Sequence, residues 1–373
     1  MRVPDQAVRG RRCAVLVALA AVLAVTVAPG AAVGAPTAMA PTGAVPVCQV
    51  RDGRLNEISG LVATDAGFVV VNDGADDESH RRIFFLDRRC AVVRTLPFPS
   101  RPRDTEDLAV GADGTIWVGD IGDNGRARET IAVWKLAPRA SRPVLYRMTY
   151  PDGPHDAEAL LVTRDGLPVI VTKQSGGAGL YTPVGPLRRD ATVPLVEVGR
   201  VRLPGTTTSN PFSFLGRRLV TGAATAPDGS RVVLRTYADA FEFDVSGGAV
   251  IAALTRGTPR VTALPDEPQG EAVSYSRDGR SLLTVSESAG QPPGTRPTVL
   301  RYALTPVPSP TPRRDTPAPT VTRRDAPAPT ATRAADAADR AGPRDTTRAV
   351  VVGGLGLLAL ALVAAVRTRR GRR

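Results

Sequence analysis

Residues 106–124 read EDLAVGADGTIWVGDIGDN. A short apolar run leads to Asp113 and Gly114 and then to a second β-rich run, and Asp-Gly between such runs is the strongest short signal for a hairpin. Four other stretches align with this one: EISGLVATDAGFVVVND at 57–73, EALLVTRDGLPVIVTK at 158–173, TGAATAPDGSRVVLRTY at 221–237 and EAVSYSRDGRSLLTVSE at 271–287. Their first residues are 49, 52, 63 and 50 positions apart, so the unit is about fifty residues long. Each unit carries two more strand-like pieces, such as TIAVWKL and VLYRMTY after Asp120. Four short strands per unit, repeated with turn signals throughout, predict an all-β fold, a single β-propeller. Five four-stranded blades are expected; six is the alternative, because TTTSNPFSFLGRR at 206–218 lengthens one interval.

Closure is readable as well. The last unit ends in TVLRYAL at 298–304 without a fourth strand, whereas VPVCQV at 45–50 precedes the first unit. The N-terminal strand is therefore expected to complete the final blade. Cys48 lies in it and Cys90 in a turn of the first unit, and in an oxidising exterior these two are expected to pair; two buried free thiols are the alternative.

The 373 residues carry a net charge of +12, almost all of it outside 48–304. A near-neutral body excludes the basic footprint of a nucleic-acid-binding protein. The charge marks topology instead. Arg9, Arg11 and Arg12 precede an apolar run and then small residues, which predicts a secretory signal peptide over 1–35. Residues 349–366 form an uncharged apolar run followed by RTRRGRR at 367–373. That pattern predicts a transmembrane helix with a basic cytoplasmic tail. Between body and helix, 305–348 are rich in Pro, Thr and Arg and contain the near-repeats TPRRDTPAPT and VTRRDAPAPT, as a disordered, extended stalk does. The expectation is a single-pass cell-membrane protein with residues 45–304, the propeller, outside the cell and the C-terminus in the cytoplasm.

The repeat also carries chemistry. Glu106 lies seven residues before the turn and Asp120 seven after it, so the hairpin returns both to one end. Likewise Glu57 is expected beside Asp73, Glu158 beside Lys173, and Glu271 beside Glu287. In a propeller the first strands line the axis, which predicts an acidic ring at one channel mouth. Carboxylates there either tie neighbouring blades together or hold a hard cation. Calcium is the expected ion, since oxygen donors abound and the chain has only two His and three Cys. The densest donor set is Asp104, Glu106 and Asp107 with Asp120, Asp123 and Asn124, and Glu106, Asp120 and Asp123 are the expected metal ligands. His155 beside Asp156 and Glu158 suggests a general base, but no nucleophile is placed by the sequence. Trp117 and Trp134 fall on strand positions and are expected in the core.

Through NEISGL with VVND, DTEDLAV with GDIGDN, and DAEAL, the segment 48–304 resembles secreted bacterial propellers of the phytase-like and esterase-like phytase group. It also looks similar to actinobacterial membrane-anchored propeller proteins. The resemblance implies calcium at an acidic mouth, with phosphate bound by neighbouring cations, here Lys173, Arg103 and Arg126. Three function classes follow: a surface module that binds an extracellular or cell-wall ligand or protein partner through its acidic mouth, a calcium-dependent phosphoester or ester hydrolase, and a structural envelope protein. No nucleic-acid partner is expected, and the oligomeric state is left open.

Overall fold

The computed structural model describes residues 43–74 and 77–304. The predicted signal peptide, stalk, transmembrane helix and basic tail lie outside these residues. Twenty strands and two short helices follow one another: β1 (Ala44–Gln49), β2 (Ile58–Ala63), β3 (Gly67–Asn72), β4 (Arg82–Asp87), β5 (Val92–Pro97), β6 (Thr105–Val110), β7 (Ile116–Asp120), β8 (Ile131–Leu136), β9 (Val144–Thr149), β10 (Ala157–Val162), β11 (Pro168–Thr172), β12 (Ala178–Pro183), β13 (Thr192–Val201), α1 (Ser213–Gly216), β14 (Val220–Thr225), β15 (Arg231–Thr236), β16 (Asp239–Asp244), α2 (Val250–Arg256), β17 (Arg260–Ala263), β18 (Gln269–Tyr275), β19 (Ser281–Glu287) and β20 (Thr298–Ala303).

Strand pairing divides them into five four-stranded antiparallel units: β2 to β5, β6 to β9, β10 to β13, β14 to β17, and β18, β19, β20 with β1. The second and third units share one eight-stranded sheet, because three residues of β13 pair in parallel with the outer strand β9. The innermost strands β2, β6, β10, β14 and β18 each pack on the next, and β18 packs back on β2. The ring is closed and the described residues form a β-propeller. The long interval before β14 holds a lengthened β13 and a loop with α1, not further strands.

Inner strands such as ALLV in β10 and FVVV in β3 are buried on both faces, as central strands between neighbouring blades must be. Trp117 and Trp134 are buried with them. Where inner strands pass each other only small residues fit. A Cβ on Gly222 would strike the carbonyl of Glu271 in the next blade.

β1 pairs antiparallel with β20, Ala44 facing Tyr302. The last blade is thus completed by the N-terminal strand. Cys48 and Cys90 form a disulfide that crosses from the last blade to the first. By the chain-entropy account, a loop of 42 residues gains about 4 kcal/mol from such a link. The first described strand begins and the last one ends where the hairpins turn, since Ala44 pairs with Tyr302, Ala303 pairs with Ser281 and the Leu304 N–H bonds to the Arg280 carbonyl.

Every inner hairpin contains the same irregularity. The pairing slips by one residue between Ile58 and Gly60, Thr105 and Asp107, Ala157 and Ala159, Val220 and Gly222, and Gly270 and Ala272. Such a bulge leaves one residue outside the ladder and re-aims its side chain. The bulged residues are Ser59, Glu106, Glu158, Thr221 and Glu271. This shared landmark sets the register of the five blades.

Candidate metal centre at the channel mouth

Three rings of side chains follow from that register. The bulge ring is Ser59, Glu106, Glu158, Thr221 and Glu271. Two residues earlier stand Glu57, Asp104, Asp156, Leu219 and Gln269. One residue past the partner of the pair immediately before the bulge stand Asp73, Ile121, Lys173, Tyr237 and Glu287. Carboxylates from all three rings gather at one mouth.

The tightest group is Asp73, Asp104 and Glu106, whose carboxylate oxygens lie within 4.8 Å of one another. Asp73 comes from the end of the first blade's hairpin and the other two from the start of the second, so the group straddles a blade seam. The backbone closes around it without side chains. A Cβ on Gly74 would collide with Asp104 Oδ1, and one on Gly122 with Asp104 Oδ2 and Glu106 Oε1. Burial and the charge of Asp73 push the Asp104 carboxyl up to about 8. Burial, then Asp73, Glu158, Asp104 and Glu271, push Glu106 well above the carboxylate range.

Around this group the mouth remains acidic and its carboxylates buried. Glu106, Glu158, Glu271 and Glu287 are 3, 4, 3 and 4 % exposed. Glu158 Oε1 accepts from Lys173 Nζ, and Gln269 Nε2 donates to Glu287 Oε2 at 2.5 Å and to Glu271 Oε1 at 3.2 Å. The second oxygens, Glu158 Oε2, Glu271 Oε2 and Glu287 Oε1, are buried without a hydrogen-bond partner. An unpaired buried carboxylate oxygen is costly, and burial accordingly raises the affinity of Glu158 and Glu287 for protons well beyond the ordinary range. Lys173 answers part of this charge. Burial works against its ammonium, but Glu158, Tyr237 and Glu271 outweigh that and hold its pKa well above a normal lysine. Its Nζ lies 5.3 Å from the Tyr237 ring centre, and Tyr237 packs on Phe212 at 4.3 Å between centroids. The loop before β14 thereby becomes one wall of the mouth, tied down by Thr206 and Thr208 hydroxyls donating to Asp239 at 2.5 and 2.6 Å.

Other expected ligands have different tasks. Asp120 accepts from the Arg103 and Asp104 N–H groups and from the Arg128 guanidinium, the last at 2.9 Å. Asp123 accepts from the Ala127 and Arg128 N–H groups. Both build the loop beneath Asp104, so the structure does not bring Asp120 and Asp123 into the tight group with Glu106. Asn124, Arg103 and Arg126 are exposed. Asp107, fully buried, points along the axis and accepts N–H bonds from Leu108, Leu160 and Ala223, one residue each of the second, third and fourth blades. The expected equivalence of Glu57 with Glu106 is corrected: Ser59 occupies that place, and Glu57 corresponds to Asp104. The first blade turns through Asp65, Ala66 and Gly67, a turn one residue shorter than the others, so its Asp stands six residues after the bulge residue where Asp113 stands seven after Glu106.

His155 is held by Asp152 at 3.0 Å, by the Tyr181 hydroxyl at 3.1 Å and by Gln174 at 3.1 Å. Its ring nitrogens are therefore engaged on the blade surface. Sequence reading missed Gly74 and Gly122, whose role is to have no side chain, and Asn56, whose buried Oδ1 has no partner.

No known family profile matches the chain, and no curated protein does. Among solved structures it is similar to a glutaminyl cyclase from Myxococcus xanthus, at 13% identity and TM-score 0.41, covering 70% of this chain and 97% of that one. A streptogramin B lyase is similar at 14% identity and TM-score 0.37, over 69% of this chain and 97% of the other. A gluconolactonase from Xanthomonas campestris is similar at 11% identity and TM-score 0.38, over 69% and 95%. The description as a propeller rests on the strand pairing above, and the resemblance to phytase-like propellers remains a reading of short motifs.

Proposed function

We propose that this protein is a membrane-anchored cell-surface propeller that binds a ligand or protein partner at its acidic mouth through a hard divalent cation, calcium by its donor chemistry. The observation that carries this is the group Asp73, Asp104 and Glu106 in its glycine cradle. Oxygens within 4.8 Å of one another match donors sharing one calcium, each about 2.3–2.6 Å from the ion. Soft-metal sites need thiolate or imidazole, and here the donors are carboxylates. A bound ion would supply the positive charge that the buried carboxylates lack, and any open coordination position would face the mouth. The first described strand begins, and the last one ends, at the opposite end of the body from the mouth.

Calorimetric titration of the full chain with calcium tests this. Saturable binding that is lost in Glu106→Gln supports it, whereas no heat and no thermal shift overturn it. A calcium-dependent hydrolase uses the same ion. Calcium-dependent release of phosphate or nitrophenol from model esters, abolished in Glu106→Gln, would establish that reading instead. A cation whose loss changes only the melting temperature would make the protein a structural envelope component. For localisation, protease added to intact cells is expected to release a soluble fragment containing the propeller.

A further inference from the structure

The chain contains four asparagines, Asn56, Asn72, Asn124 and Asn210. An asparagine modifies itself when the peptide nitrogen of the next residue reaches its side-chain carbonyl carbon, and three of the four are protected from that attack. Asn210 is followed by Pro211, whose ring nitrogen carries no hydrogen to lose. Asn72 is buried, and its amide donates to the Arg54 and His80 carbonyls, 2.7 and 3.2 Å away. Asn56 has its side-chain oxygen buried and is followed by the half-buried Glu57, whose Cβ crowds the nitrogen.

Asn124 differs at each of these points. It and Gly125 are exposed, in the loop that follows β7. A Cβ on Gly125 would meet nothing, so the approach to its nitrogen is open. Among the described residues, neither the Asn124 carboxamide nor the Gly125 N–H has a hydrogen-bond partner. The residues on either side are fastened. The Asp123 N–H donates to Asp156 Oδ1 at 2.9 Å, and the Arg126 N–H closes a turn on the Asp123 carbonyl at 2.8 Å. The Asp123 carboxylate accepts from the Ala127 and Arg128 N–H groups at 3.0 and 2.8 Å, and Arg128 donates to the Gly122 carbonyl at 2.6 Å. One free, unshielded pair thus sits inside a turn whose closure helps to set Gly122 against Asp104 and Glu106.

We propose that Asn124 and Gly125 form a self-modification site, at which the loop beside the mouth converts with time to aspartate or isoaspartate without an enzyme. The Gly125 peptide nitrogen gives up its proton to hydroxide and attacks Asn124 Cγ. A Cγ–N bond forms and the Cγ–Nδ2 bond breaks; the amide group leaves as ammonia after taking a proton from water, which regenerates the hydroxide. One water then opens the five-membered imide at either carbonyl carbon. Opening at Cγ gives aspartate, and opening at the main-chain carbonyl carbon gives isoaspartate, whose chain runs through Cγ. The net change is water in and ammonia out, with no oxidation or reduction, and a carboxylate where a neutral amide stood. Isoaspartate adds one backbone carbon inside the turn from Asp123 to Arg126, so the bond closing that turn is lost and the Asp123 caps loosen. This chemistry does not depend on what the mouth binds.

The test is peptide mass mapping of the full chain, held folded at neutral and at mildly alkaline pH. Conversion is expected in the peptide containing Asn124, seen as the mass gain of exchanging an amino group for a hydroxyl and as reactivity toward an isoaspartyl methyltransferase, and faster at the alkaline pH. Peptides with Asn56, Asn72 and Asn210 should stay unchanged over the same period. Gly125→Ala should slow the conversion by about tenfold, because a methyl then shields the nitrogen and narrows its conformations. The backbone at Gly125 lies outside the left-handed region and the space is open, so alanine is accommodated. Hydrogen exchange at residues 122–128 should be faster in the converted chain than in the fresh one. Conversion at Asn124 no faster than at Asn56, or a Gly125→Ala chain that converts at the wild-type rate, would overturn the proposal. A converted chain whose loop exchanges at the unconverted rate would overturn the effect on the turn.

Discussion

At the residue scale, two side chains that sequence groups together do opposite things. Glu106 and Asp107 are neighbours, yet the bulge sends Glu106 into the mouth and Asp107 into the axis. Asp107 stays buried because three inner N–H groups, freed where bulges interrupt the ladders, need an acceptor. Burial pushes its carboxyl upward and those three donors pull it back. Asp107→Ala would leave the buried N–H groups of Leu160 and Ala223 unpaired. A loss of about 2–4 kcal/mol is expected from such unsatisfied buried groups, measurable by urea unfolding of the full chain. Gly122→Ala tests the opposite case. The added methyl meets the carboxylates of Asp104 and Glu106, so calcium affinity should fall by at least tenfold with little change in far-ultraviolet circular dichroism. An unchanged affinity would show that the cradle does not surround the ion.

At the scale of elements, the bulge is the device that makes a ring of mouth-facing side chains from ordinary hairpins. A period of two along a strand would alternate Glu106 with the core; one unpaired residue redirects it. The loop before β14 is the second device. It adds no blade, and its hydroxyls anchor it to Asp239 while Phe212 backs Tyr237. Thr206→Val with Thr208→Val is expected to loosen this wall, seen as faster hydrogen exchange in residues 204–219 while the other four blades keep their protection. The disulfide is the third. Replacing both Cys48 and Cys90 by Ser is expected to lower stability by up to about 4 kcal/mol, with opening first at β1 and β20. A uniform loss across all blades would argue against a closure role.

For the whole molecule, the two ends of the channel have different chemistry. Where the hairpins turn, a funnel of about 690 Å³ is lined by small or apolar residues such as Ala63, Val110 and Ala226 together with charges of both signs, Asp65, Asp228, Arg164 and Arg277; the other end collects carboxylates. This asymmetry makes stability depend on pH in an unusual direction. An ordinary aspartate releases its proton near 3.9 in an unfolded chain, whereas folded Asp104 holds it to about 8. Between those values the folded state binds more protons than the unfolded one, so stability falls as pH rises. In the presence of chelator, the melting temperature should decline from pH 5 to pH 8. Calcium should restore it at the upper end, where the carboxylates are free to bind. A chelator-treated protein that melts higher at pH 8 than at pH 5 would contradict the cluster's electrostatics.

The repeat of about fifty residues, the pairing of the N-terminal strand with the last blade and the partnership of Cys48 with Cys90 were determined by the sequence itself. Asp-Gly turns, alternation and an unpaired final strand are local signals, and ring closure leaves a fourth strand only one place to go. The acidic mouth was legible for the same reason, because a hairpin returns Glu158 and Lys173 to one end. Which acids share a site was decided only in three dimensions. The bulge shifts register by one residue without a sequence mark of its own, Asp120 and Asp123 are consumed by backbone donors that no spacing reveals, and the gap that completes the centre is shaped by Gly74 and Gly122, whose contribution is the absence of a side chain.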